Sequence, residues 1–315
     1  MTGDPSAAHG AACGKVILFG EHAVVHGVPA IAAGIDRGAE ANARRAEGAS
    51  SLVLGARRVT VGDDDDLARA LGALLAEGSA APAVAVEVHT DLPPGGGLGC
   101  SAALGMAIGR AVARLAGEDD EQAQARGLAW EKVFHGNPSG VDTAAAALGG
   151  CLRFVRGGEV SRIAPARDLW LAVGSTGQPS STKTMVESVA RLRERQPEAF
   201  ERTLGAFRSL VDNAKLAIEA GDVRTVGSLF DLAQMLLSGW MLSTETIERL
   251  CSIARGAGAL GAKLTGAGGG GCVIALVDDT LPEGGEAAAG RVVAAWRDAG
   301  FTGFTARIAR HGGRA

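Results

Sequence analysis

Two glycine clusters constrain this chain more than any other feature: Gly95–Gly97 with Gly99, and Gly266 with Gly268–Gly271. Glycine gives up ordering entropy for backbone freedom, so a cluster marks a place where the chain must turn sharply or approach something closely. The first cluster, Pro93-Pro94-Gly95-Gly96-Gly97-Leu98-Gly99-Cys100-Ser101, follows an alternating strand pattern at Val84–Val88. After it comes a helix pattern, Ser101–Leu115, with Leu104, Ile108, Val112 and Leu115 on one face. Small residues at such a junction let backbone N–H groups close on phosphate oxygens, and the helix N-terminus adds positive potential. The junction reads as a phosphate cradle. It is not a P-loop, because no Lys followed by Ser or Thr comes after the last glycine. The near miss from Gly10 to Lys15 has the wrong spacing and runs on into Val16.

The second cluster contains a formal G-x-G-x-x-G at Gly266, Gly268 and Gly271. A dinucleotide-binding turn needs a helix next, whereas Cys272–Val277 reads as a strand, so that assignment fails on context. A glycine loop that closes on a ligand remains. His22 and His26 stand near Glu21, but the order is wrong for a zinc protease helix, and Gly27 and Pro29 leave little helix. No metal is expected on these histidines.

Other classes are excluded by composition. The net charge is −4 and the basic residues are scattered, so the basic surface that nucleic-acid binding relies on is missing. No apolar run approaches the roughly 18 residues of a membrane span, and Met1–Ala12 lacks the pattern of a signal peptide. Cys13, Cys100, Cys151, Cys251 and Cys272 are far apart with no C-x-x-C pair, which argues for a reducing cytoplasm and against a disulfide framework.

Strand patterns at Cys13–Phe19, Ala30–Arg44, Ser51–Val61 and Cys151–Ile163 surround helices at Ser101–Leu115 and Glu121–Phe134. Asn137 and Pro138 read as the cap and first position of another helix. The texture changes near Pro165. Leu169–Gly174 is a strand, long helical patterns run to about Leu250, and strands at Lys263–Thr265, Cys272–Val277 and Phe304–Ala309 enclose a helix at Gly285–Ala299. The simplest organisation is α+β, with halves at 1–165 and 166–315 sharing a cleft.

The segment Gly14-Lys15-Val16-Ile17-Leu18-Phe19-Gly20-Glu21-His22-Ala23-Val24-Val25-His26-Gly27 closely resembles the N-terminal signature of mevalonate kinases, a branch of the GHMP kinase superfamily. Pro93–Ser101 resembles the superfamily's ATP loop and Lys263–Cys272 its third glycine motif. His135-Gly136-Asn137-Pro138-Ser139-Gly140-Val141-Asp142 looks like the segment that carries the catalytic aspartate. The resemblance implies a GHMP kinase fold, with an N-terminal half like the second domain of ribosomal protein S5 and a ferredoxin-like C-terminal half. It implies ATP-dependent phosphorylation of the 5-hydroxyl of mevalonate, with Mg²⁺.

Roles follow from the same resemblance. Asp142 matches the general base and Lys15 the lysine beside it. Ser101 and Glu131 match the Mg²⁺ ligands. Gly95, Gly96, Gly97, Leu98, Gly99, Cys100 and Ser101 would hold the triphosphate, and Thr90 matches a weaker nucleotide contact. Glu21 and His22, with Lys15 and Asp142, fall where the family lines its acceptor pocket. Phosphoryl transfer asks for positioning and charge neutralisation, which this set supplies.

Two positions depart from the pattern: Cys100 replaces a usual serine, and Gly96 a usual alanine. Set at a helix N-terminus, the Cys100 thiol is expected to be somewhat acidic. Ser175–Lys183 resembles a segment found near the acceptor in archaeal-type mevalonate kinases. The alternatives are another kinase of the superfamily, such as a phosphomevalonate kinase, and a catalytically dead ligand sensor. The sensor would have lost Lys15, Glu131 or Asp142, and all three are present. The partner expected is the small-molecule substrate, with no nucleic acid and no membrane; a homodimer is compatible with the sequence.

Overall fold

The computed structural model describes residues 7–78, 83–93, 95–135, 140–158 and 160–308. Its elements divide between two sheets. The first half contains β1 (Ala7–Phe19), β2 (Ala30–Arg45), β3 (Ser51–Leu54), β4 (Arg57–Thr60), α1 (Asp66–Ala76), β5 (Val84–Thr90), α2 (Cys100–Ala116), α3 (Asp120–His135), α4 (Val141–Leu148), β6 (Cys151–Phe154) and β7 (Val160–Ile163). The second contains β8 (Leu169–Ser175), α5 (Thr182–Arg195), α6 (Pro197–Ala220), α7 (Val223–Gly239), α8 (Glu245–Gly256), β9 (Gly261–Thr265), β10 (Cys272–Leu276), α9 (Gly284–Asp298) and β11 (Thr302–Ile308).

The long strand β2 organises the first sheet. β1 runs antiparallel along one of its edges, while β6 and then β5 take successive parts of the other. α2 lies on β1 and β2 and is covered in turn by α3. Its expected apolar face is the buried one: Leu104, Ile108, Val112 and Leu115 are all in the core. Each such side chain contributes about 1.5–3 kcal/mol by leaving water. Contact with β1 is close at Gly10, where a Cβ would come within 2.2 Å of the Ala107 carbonyl oxygen. The second sheet is antiparallel in the order β11-β8-β10-β9.

The halves are joined along β1. The Ile17 amide donates to Thr265 Oγ1 at 2.9 Å, and that hydroxyl donates back to the Ile17 carbonyl at 3.1 Å. Phe19 of β1 meets Phe230 of α7 edge to face at 5.2 Å. Farther along, the Arg307 amide donates to Asp36, and Arg37 lies over the Phe304 ring.

One expectation needs correction, and one falls outside the described residues. β1 begins at Ala7 rather than Cys13, because pairing with β2 from Ala7↔Arg44 onward supplies what an Ala- and Gly-rich stretch does not signal. The helix that carries Asp142 begins at Val141 with left-handed Gly140 as its cap. Asn137 and Pro138, expected as its start, lie outside the described residues.

Candidate active site

Three elements converge at the start of α2. Gly95, Gly97 and Gly99 have φ of 70°, 74° and 69°, a conformation open to glycine and costly for other residues. Gly99 caps α2 without any side-chain hydrogen bond, so the first amides of the helix point into the cleft with no intrahelical acceptor. The loop is fastened to β1, since the Lys15 amide donates to the Leu98 carbonyl at 2.9 Å. It also packs on the second glycine cluster: a Cβ on Gly97 would lie 3.6 Å from the Thr265 carbonyl oxygen, and one on Gly96 3.0 Å from Cys272 Sγ. The two glycine loops therefore face each other across the halves.

Ser175–Lys183 grips the second loop. Ser180 Oγ donates to the Gly268 carbonyl at 2.6 Å, and the Gly271 amide donates to the Gln178 carbonyl at 2.8 Å.

Lys15 and Asp142 meet beside the first loop, with Nζ 3.0 Å from Oδ1. The Lys15 side chain is 5% exposed and that of Asp142 40%, so a buried ammonium is paired with a carboxylate open to the cleft. Gly99 is needed here, because a Cβ would sit 2.8 Å from Lys15 Cγ.

Glu131 reaches the same place from α3. Burial pushes its carboxyl above the ordinary value, while neighbouring Ser101 and His135 draw it back down and Asp142 adds to the rise. Ser101 lies against Glu131, yet among the described residues neither Ser101 Oγ nor Glu131 Oε1 completes a well-aligned hydrogen bond, and both atoms are buried. Two adjacent, unsatisfied hard oxygens suit Mg²⁺. No cluster of three or more Asp, Glu, His or Cys side chains forms among the described residues, so an ion here would complete its shell with phosphate and water oxygens.

Glu21 and His22 are placed differently from a simple pocket lining. Glu21 is wholly buried and ion-paired with Lys263 of β9. His22 has φ of 53°, unusual for a residue with a side chain, and its Nε2 lies 2.8 Å from the Ala267 carbonyl oxygen. His22 ties the Gly20–Gly27 turn to the second glycine loop, and Glu21 ties it to β9. Sequence reasoning missed Lys263 and Thr265 as the partners on the other side; the available signal was a lysine set between apolar Ala262 and Leu264 in a strand.

Thr90 Oγ1 is occupied by backbone, donating to the Gly38 carbonyl at 2.8 Å and accepting from the Leu92 amide at 3.2 Å. It borders a cavity of about 370 Å³ that Leu92, Pro93, Cys272 and Phe304 also line, next to the first glycine loop. A larger cavity, about 620 Å³, is lined by residues of α7 and α8 instead. The expectation of an acidic Cys100 thiol is overturned. Burial pushes it up, a contact with Thr90 only partly offsets this, and the charge of Glu131 adds to the rise.

Comparison with known proteins shows the family. The family model described as GHMP kinases N terminal domain matches residues 66–150, and that described as GHMP kinases C terminal matches 214–300. The chain is 35% identical to the mevalonate kinase of Aeropyrum pernix over 326 aligned positions, covering 98% of each. It is 32% identical to the mevalonate kinase of Thermococcus sibiricus, covering 95% of each. The crystal structure of L. major mevalonate kinase in complex with R-mevalonate superposes with a TM-score of 0.85 at 27% identity, covering 98% of this chain and 97% of that one.

Proposed function

The chain belongs to the GHMP kinase family, in its mevalonate kinase branch, and from that premise we propose that it transfers the terminal phosphoryl group of ATP to the 5-hydroxyl of mevalonate. The observation that carries this reading is the Lys15–Asp142 pair, set beside an uncapped helix N-terminus at the meeting of two glycine loops.

Each residue has work that its surroundings support. Asp142 takes the proton from the acceptor hydroxyl, since its carboxylate is the exposed member of the pair. Lys15 pairs with that carboxylate and faces the alkoxide as it develops. The backbone of Gly95–Cys100 and the first amides of α2 bind the phosphates. Ser101 and Glu131 would hold Mg²⁺, and the ion would supply charge neutralisation for the phosphates. His22 and Glu21 set the acceptor side of the site, and Thr90 borders the nucleotide. We place the boundary between the N- and C-terminal domains at 165/166, between β7 and β8. The cysteines are far apart in sequence with no C-x-x-C pair, which supports a reducing cytoplasm. Among the described residues no helix is long and apolar enough to cross a membrane.

Purified protein given ATP, Mg²⁺ and mevalonate should form one ADP per phosphomonoester, with the phosphorus NMR coupling of a phosphate on a primary carbon. ADP release without an organic phosphate product would refute the reading.

A further inference from the structure

Lys263 is wholly buried on β9, where an ammonium is costly unless it is paired and hydrogen-bonded. Its donors go to Glu21 Oε1, to the Leu264 carbonyl at 2.6 Å and to the Ile17 carbonyl at 3.4 Å. Two of these acceptors, Glu21 and Ile17, belong to the other half of the protein. Glu21 is equally buried, and its second oxygen, Oε2, has no partner among the described residues.

Four charges of alternating sign follow one another into the interior. Asp142 pairs with Lys15, Lys15 is near enough to Glu21 to draw its carboxyl down, and Glu21 pairs with Lys263. The order matters, because Lys15 has two carboxylates within its influence. With Lys263 neutralising Glu21 from behind, Lys15 is left to Asp142. Without it, Glu21 would either compete for Lys15 or take up a proton, since burial already pushes its carboxyl upward and Lys263 is the main opposing influence.

We infer that Lys263 is a positioning residue for phosphoryl transfer, fixing Glu21 from the C-terminal half so that Lys15 stays with Asp142. This rests on the reading that the acceptor sits beside Lys15, Glu21 and Asp142. Lys263 itself touches neither acceptor nor nucleotide.

The test compares wild type with Lys263→Arg, Lys263→Met, Glu21→Gln and the double variant Lys263→Met/Glu21→Gln. Mevalonate and ATP are varied separately across pH. Arginine keeps the charge but cannot reproduce one ammonium shared among three acceptors. Lys263→Arg should lower kcat/KM for mevalonate at least about tenfold, the scale of a misplaced reacting group, with KM for ATP changed less than about twofold. Lys263→Met should move the acid limb of that profile to higher pH. On the Glu21→Gln background, Lys263→Met should cost less than about threefold, because its target is already gone. If Lys263→Met does not fold, Lys263→Arg and the double variant, which leaves no buried charge unpaired, decide the question. Wild-type constants and an unmoved profile would overturn the inference. So would equal rises in KM for ATP and mevalonate, which would assign Lys263 to packing of the glycine loop, or fully additive losses. A wild-type enzyme that is inactive on mevalonate defeats the functional reading itself, whereas an active wild type with indifferent variants defeats this inference alone.

Discussion

Lys15 Nζ stands 3.0 Å from Asp142 Oδ1, joining the strand that opens the chain to the first turn of α4. The pair brings charge of both signs to the edge of the first glycine loop. Asp142→Asn should keep nucleotide affinity and thermal stability near wild type, because the carboxylate is only half-buried and the amide can still accept from Lys15. Turnover should fall by about a hundredfold or more, the usual scale for a general base. Near-normal turnover of this variant would remove Asp142 from the mechanism.

Ser101 and Glu131 are neighbours, and each leaves a buried oxygen unsatisfied among the described residues. Ser101→Ala and Glu131→Gln should each raise the Mg²⁺ concentration needed for half-maximal rate, since each removes an oxygen ligand. Acting on one ion, they should be non-additive in a double-mutant cycle. Strict additivity at every Mg²⁺ concentration would show that they do not share an ion.

Gly96 faces Cys272, the first residue of β10, so closely that a methyl group would crowd it. Gly96→Ala would press Cβ to 3.0 Å from a sulfur that is itself buried, and overpacking of this kind costs about 1–3 kcal/mol. KM for ATP should rise severalfold, and Cys272→Ala in the same chain should restore most of it. Independent effects of the two changes would sever the link between the two residues.

Burial lowers the His22 pKa below its ordinary 6.5, and the hydrogen bond to Ala267 only partly opposes this. The unfolded chain therefore binds this proton more readily than the folded one. The stability His22 contributes is complete above pH 6.5 and is lost as pH falls through its lower folded value. His26 is shifted the same way and adds to the slope. In urea titrations from neutral to mildly acid pH, His22→Gln should lose stability less steeply than wild type. Parallel curves would contradict this.

What the sequence disclosed depended on whether local chemistry decided the outcome. The apolar face of α2 and the glycine loop before it were legible because helix period and turn chemistry are local. The first part of β1, Ala7–Ala12, was not, because alanine and glycine carry no alternation and the partner strand supplies the order. Cys100 misled for a related reason: a helix N-terminus lowers a thiol pKa, but burial is a tertiary property and here it is the larger effect. The residues Lys15, Ser101, Glu131 and Asp142 could be named from motifs, yet their meeting could not. That Glu21 has its partner on β9, in the other half of the chain, is visible only once the halves are joined.

The central claim is that this site is built for mevalonate. A short hydroxy acid offers a carboxylate to a basic or N–H donor and a hydroxyl to Asp142. Galactose lacks the carboxylate, and phosphomevalonate already carries phosphate where Asp142 would act. Sites built around particular polar partners reject analogues that leave those groups unpaired, often by orders of magnitude. The most direct measurement is kcat/KM for ADP release with mevalonate, phosphomevalonate, homoserine and galactose under one set of conditions. Mevalonate should lead by at least about a hundredfold; a better rate with phosphomevalonate or homoserine would contradict the account.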